Sequence, residues 1–111
     1  MTGRNQRLHP RRAVLLECQI DGLSGLAGTL ISDVSLTGCY VDSLTPTTVG
    51  ASVRIRVTLA GTPVSLTGHV AHVHAGIGFG MKFGPLPIET REIIERFLDH
   101  RAEETPQLEQ A

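Results

Sequence analysis

Two short stretches of the chain hold the side chains with the greatest chemical capacity. The first is Arg-Leu-His-Pro-Arg, in which Arg7 and Arg11 flank His9. A guanidinium group binds phosphates and purine edges through paired hydrogen bonds, and its face stacks on aromatic rings. The surrounding segment also contains Arg4 and Arg12 and no acidic residue. The cluster therefore predicts an anionic partner, although the net charge of the whole chain is only -1.

The second stretch combines a carboxylate, a hydroxyl group and a glycine in Asp33, Ser35 and Gly38. In an extended strand, Asp33 and Ser35 project from the same face because side chains alternate. A carboxylate accepts hydrogen bonds from N1–H and N2–H of guanine, which adenine lacks, and a glycine lets a ligand approach the main chain. Without the arginine motif, this stretch would be interpreted only as a connector between a strand and a turn. Read with the arginines, it predicts a pocket for a guanine nucleotide that carries phosphate.

The elements that position these residues are predicted to be mostly strands of a single domain. The chain has 111 residues, and 41% of them are hydrophobic but only 4% aromatic, so the core consists of Val, Leu and Ile. The predicted strands cover residues 13–21, 26–34, 39–42, 52–59, 63–74 and 77–83, with a bend at Gly68 in the fifth. Short strands joined by glycine turns favour a small antiparallel barrel over a parallel sheet.

Both ends of the chain differ from this pattern. Residues 1–12 have no apolar periodicity, which predicts a flexible arginine-rich arm. From Thr90, the predicted N-cap, the period changes to that of a helix, whose apolar face consists of Ile93, Ile94, Phe97 and Leu98. Residues 103–111 are predicted to form a disordered tail.

The two motifs together resemble a known family. Arg7-x-x-x-Arg11 followed by Asp33-x-Ser35-x-x-Gly38 is similar to the paired signature of the PilZ domain family, whose members bind the bacterial second messenger cyclic di-GMP. The resemblance extends to the strand Gly-Phe-Gly-Met-Lys-Phe and to the closing helix. It implies an all-β dominated fold, a six-stranded antiparallel PilZ-type β-barrel with a C-terminal α-helix, over residues 13–102.

The resemblance also implies roles for individual residues. Arg7 and Arg11 hold the phosphates and guanine edges, and Asp33 binds a guanine. Ser35 binds phosphate or base, and Gly38 leaves room for the ligand. Three further residues are additional ligand-binding candidates: Arg12, His9 and His72.

The resemblance and the residues together predict a receptor that binds rather than converts its ligand. The arm and the surface change conformation when cyclic di-GMP binds, and an unidentified effector protein reads the change. We expect no catalytic residues, because no nucleophile elbow frames Ser35 and the barrel stretch lacks paired carboxylates. We also expect no metal, no cofactor, no nucleic acid and no membrane insertion. Cys18 and Cys39 form no C-x-x-C pair and favour buried, reduced thiols in a cytoplasmic protein.

Two alternatives to the receptor stay open at this point. A nucleotide-independent PilZ-like adaptor uses the same fold for protein contacts only. Nucleic-acid binding through the arm predicts an affinity that falls steeply with salt. The sequence leaves open whether one or two cyclic di-GMP molecules bind per chain.

Overall fold

The computed structural model of the chain describes residues 12–21 and 29–110. Alternating apolar and polar residues form six strands, and one helix follows them. The strands are β1 (Arg12–Ile20), β2 (Leu30–Val34), β3 (Gly38–Asp42), β4 (Ser52–Leu59), β5 (Thr62–His74) and β6 (Gly78–Phe83), and the helix is α1 (Ile88–Gln110).

The six strands close into a barrel in the order β1-β2-β3-β6-β5-β4, with every neighbouring pair antiparallel. The predicted barrel and its closing helix are therefore confirmed. β4 and β5 form the longest hairpin, which turns at Ala60 and Gly61. Both residues have positive φ, 52° and 82°, as a tight hairpin turn requires.

The core lies inside the barrel because each strand turns its apolar residues inward. On β4, Ile55 and Leu59 are fully buried, and Arg54 and Arg56 between them face outward. Cys18 and Cys39 are buried within the same core, as predicted, and neither forms a disulfide. The alternation thus separates a dry interior from a polar outer wall.

Helix α1 begins two residues earlier than the sequence pattern indicated. Its first backbone bond runs from the Arg91 N–H to the Pro87 carbonyl at 3.1 Å, so Thr90 lies within the first turn and the predicted N-cap is wrong. A proline suits a helix start because the first N–H groups of a helix have no partner within it. Ile94 and Phe97 are buried against the barrel core, as expected. The helix continues to Gln110 and so includes residues assigned above to a tail.

The strand register defines two ends of the barrel. At the turn end lie Arg12, Val34, Gly38, Leu59 and Phe83. At the loop end lie Ile20, Asp42, Ser52, His74 and Gly78, together with the connection 43–51 between β3 and β4. Helix α1 follows β6 from the turn end.

The predicted bend in β5 is displaced along the strand. Its register against β6 shifts between Val70 and His72, and the pairing at Gly68 is regular. A Cβ at Gly68 would collide with the carbonyl oxygen of Lys82. The glycine is thus needed for close approach of β5 and β6, and the irregularity occurs where His72 is presented to solvent.

Candidate functional site

The second motif forms the hairpin turn between β2 and β3. The Ser35 N–H donates to the Gly38 carbonyl at 2.8 Å, which places Leu36 and Thr37 at the tip. The Ser35 hydroxyl accepts from the Thr37 N–H at 3.2 Å and lies 3.4 Å from the Gly38 carbonyl oxygen. Ser35 is fully buried, so its hydroxyl group stabilises the turn from within.

The expected shared face of Asp33 and Ser35 is not observed. β2 ends at Val34, which is fully buried inside the barrel, and the chain turns immediately afterwards. Asp33 is half-buried, whereas Ser35 has no exposed surface. The alternation rule fails at Ser35 because it holds only while the backbone stays extended.

Gly38 is required by strand packing. A Cβ at this position would collide with the carbonyl oxygen of Met81 on β6. The tip is tied to the same strand, because the Phe83 N–H donates to the Thr37 carbonyl at 2.8 Å. The turn is therefore held rigidly against β6 by backbone contacts.

The structure brings Asp33 and His72 into one row across four strands. Asp33 is paired with Tyr40, Tyr40 with Gly80, and Gly80 with His72. Cross-strand partners share a face, so all four face outward, and three strand spacings separate the outer two by about 14 Å. A Cβ at Gly80 would collide with the His72 ring, so this glycine allows the ring to lie over β6.

Tyr40 is the residue that sequence reasoning missed. Its hydroxyl group is 2.8 Å from Nδ1 of His74, and its ring centroid lies 6.1 Å from that of His72 and 5.8 Å from that of His74. Burial, followed by the carboxylates of Asp42 and Asp33, raises the pKa of Tyr40, so the phenol keeps its proton. Its outward position between buried Cys39 and Val41 was a usable signal.

The arginine motif lies at the edge of the described structure. Arg7, Arg11 and His9 fall outside the described residues. Arg12, placed above in the arm, belongs to β1 and pairs with Val34 beside the turn. Its Nε is buried, and it has no hydrogen-bond partner among residues 12–21 and 29–99. The chain therefore enters the barrel next to Asp33, which is paired with Ala13.

The family of the chain follows from its sequence and agrees with this architecture. A family model for the PilZ domain matches residues 5–100. The chain belongs to the PilZ domain family. The match covers both motifs, all six strands and the buried part of α1.

Solved structures of other PilZ proteins share the fold. The inhibitor of motility MotI/DgrA from Bacillus subtilis has a TM-score of 0.73 and 14% identity, over 88% of this chain and 52% of that chain. This PilZ domain thus spans about half the length of MotI/DgrA. The PilZ domain of CeSA from a cellulose-synthesizing bacterium has a TM-score of 0.60 and 18% identity, over 78% of this chain and 92% of that chain. No curated protein matches the chain in sequence.

The family and the described residues also bear on three other kinds of function: enzymatic activity, metal binding and a membrane-spanning helix. PilZ domains are typically binding or adaptor domains rather than enzymes. Among residues 12–21 and 29–99, no three His, Cys, Asp or Glu side chains group closely enough to hold a metal ion. Within the described part of the chain, no helix combines the length and the apolar character that a membrane crossing needs.

Proposed function

We propose that this PilZ domain is a cytoplasmic receptor for cyclic di-GMP that signals through a partner protein. PilZ domains are generally cyclic di-GMP receptors. The observation that carries the proposal is the β1–β2 register, in which Arg12 pairs with Val34 and Ala13 with Asp33. Because Arg12 directly follows the segment that carries Arg7 and Arg11, this register supports the proposal that both motifs contribute to one site.

The two motifs divide the work of binding between them. Arg7 and Arg11 bind the phosphates and a guanine edge, and Asp33 accepts from the N1–H and N2–H of guanine. Ser35 and Gly38 act on the ligand through the turn, which they hold in place beside Asp33. Since the turn is fixed by its own hydrogen bonds and by β6, Asp33 is positioned before the ligand arrives.

Electrostatics support an arm that orders with the ligand. Asp33 acts on Tyr40 through its negative charge, so a carboxylate lies on the outer wall at the proposed site. It repels the two phosphates of cyclic di-GMP, and this repulsion must be neutralised by cations. Arg7 and Arg11 supply these charges, and the ligand in turn orders the arm.

Three further residues complete the proposed ligand surface. His72 ends the row that starts at Asp33, and its exposed ring offers a planar face to a base. The buried Arg12 Nε is a donor suited to an acceptor at the turn end. His9 lies between the two motif arginines and adds a further donor.

Titration calorimetry with cyclic di-GMP tests the proposal. Arg7→Ala, Arg11→Ala and Asp33→Ala should each weaken binding by about tenfold to a hundredfold, the range for a hydrogen bond to a charged group. Each variant should keep the circular dichroism spectrum of the wild type. Arg54→Ala is the matched control, because this arginine lies on the outer face of β4, and its affinity should be unchanged.

The same titration separates the receptor from its alternatives. Absence of heat at high micromolar cyclic di-GMP, with a folded sample, would contradict the proposal and favour a nucleotide-independent adaptor. Binding that does not discriminate against cyclic di-AMP, and that falls steeply with salt, would favour generic nucleic-acid affinity. The fitted stoichiometry decides between one and two ligands per chain.

A further inference from the structure

A cavity of about 160 Å³ opens at the loop end of the barrel, away from the turn. Its lining combines an apolar base from three strands with a polar rim from the β3–β4 connection and the strand ends. The apolar residues are Ile20, Val53 and Phe79, and the others are Asp21, Thr45, Pro46, Thr47 and Ser52. A cavity of about 150 Å³ accommodates one benzene molecule, so this one accepts a single large apolar side chain.

Exposed apolar side chains concentrate at the same end. Five large apolar side chains of the described residues are exposed, and three of these belong to the loop end. Leu44 is 82% exposed, Val49 is 66% exposed and Ile77 is 63% exposed. The Ser43 N–H donates to the Ile77 carbonyl at 3.2 Å, which joins the connection to the β5–β6 turn. Exposed apolar surface at the same end of a domain as a cavity is typical of a protein contact site.

Two arginines lie beside Asp21, an acidic residue of the cavity lining. Asp21 lies 3.2 Å from Nε of Arg56 and 3.8 Å from Nε of Arg54. One carboxylate therefore faces two guanidinium groups, whose side chains remain 60% and 61% exposed. Exposed pairs of this kind are weak, so the arginines remain available to an acidic partner.

We propose that the loop end is the docking site for the effector protein. The occupant is a segment that inserts one large apolar side chain into the cavity and places acidic residues beside Arg54 and Arg56. A central apolar anchor with a charged rim is the usual arrangement of a binding hot spot. The inference rests on the proposed function only in identifying the occupant as the effector, and its test needs no nucleotide.

The test uses a phage-displayed library of random short peptides, selected on the full chain. The expected consensus is a Leu, Phe or Met next to Asp or Glu. Ser52→Phe should fill the cavity, because Ser52 is exposed and lines it. This variant should weaken a selected peptide by at least about tenfold, as loss of an interface anchor does. The double variant Arg54→Glu, Arg56→Glu should weaken peptide binding more than Ser52→Phe does.

Two controls make the outcome decisive. Thr58→Phe adds the same ring on the outer face of β4 at the turn end and should leave peptide affinity unchanged. The circular dichroism spectrum and the urea unfolding midpoint of Ser52→Phe show independently whether the barrel is intact. A selection that enriches no sequence, a consensus without the apolar and acidic pair, or equal binding to Ser52→Phe and Thr58→Phe would overturn the inference. None of these results bears on nucleotide binding.

Discussion

The two ends of this barrel are built differently. At the turn end, the Asp-x-Ser-x-x-Gly hairpin is packed tightly, with Ser35 fully buried and no room for a side chain at Gly38. At the loop end, the connection 43–51 leaves a cavity of about 160 Å³ and exposes Leu44 and Val49. The difference places the more tightly packed end at the proposed ligand site. The more open end is the proposed docking site for a protein partner.

The largest expected change in stability comes from adding a side chain at the tightly packed turn end. Gly38→Val should lower the free energy of unfolding by about 2–4 kcal/mol, because the new side chain collides with the backbone of Met81. Urea denaturation measures the change. Gly84→Ala is the control, since nothing lies within 4 Å of a Cβ there, and it should stay within about 1 kcal/mol of wild type. Equal stability of the two variants would remove the contrast between the ends.

A smaller effect is expected from the hydrogen bonds inside the turn. Ser35→Ala removes the acceptor of the Thr37 N–H and should cost about 1–2 kcal/mol. Thermal or urea unfolding measures this cost, and Ser65→Ala, on the exposed face of β5, is the neutral control. Cyclic di-GMP affinity should fall as well, whereas peptide binding at the loop end should persist. An unchanged unfolding midpoint would mean that the buried hydroxyl group does not hold the turn.

The smallest expected effect is a pH dependence of stability, which reports whether solvent is excluded from the core near the loop end. Burial raises the pKa of the Cys18 thiol from 9.0 to about 11. The folded state therefore binds the proton more tightly than the unfolded state, so stability is complete below pH 9 and is lost as pH rises toward 11. Unfolding measured at pH 8 and pH 10.5 should show a steeper decline for wild type than for Cys18→Ala. Equal slopes would indicate that solvent reaches the core through the cavity.

Much of the fold was predictable because periodicity reports which face of a strand is buried. β4 was predicted with its observed bounds, since its alternation of Val, Ile and Leu with Arg and Thr is unbroken. The apolar face of α1 was likewise confirmed at Ile94 and Phe97. Its start was not, because a local N-cap preference at Thr90 competes with the proline that precedes the observed helix.

The site was only partly predictable, because its geometry depends on contacts between distant strands. The orientation of Ser35 and the collision at Gly38 arise from the hairpin and from β6, which local spacing does not reveal. The row from Asp33 to His72 needs the order β2-β3-β6-β5, in which consecutive strands are not always neighbours. The same strand order places Tyr40 between Asp33 and His72, so the role of Tyr40 was missed as well.

Closure of the sheet also limits how a partner can attach. Each of the six described strands has a neighbour on both sides, so the sheet has no outermost strand with an open edge along its full length. A partner strand could pair only along short stretches such as residues 62–66 of β5, which pair with β4 but not with β6. The same closure protects the protein from edge-to-edge aggregation. Elsewhere, recognition is left to side chains on the outer wall and to the two openings of the barrel.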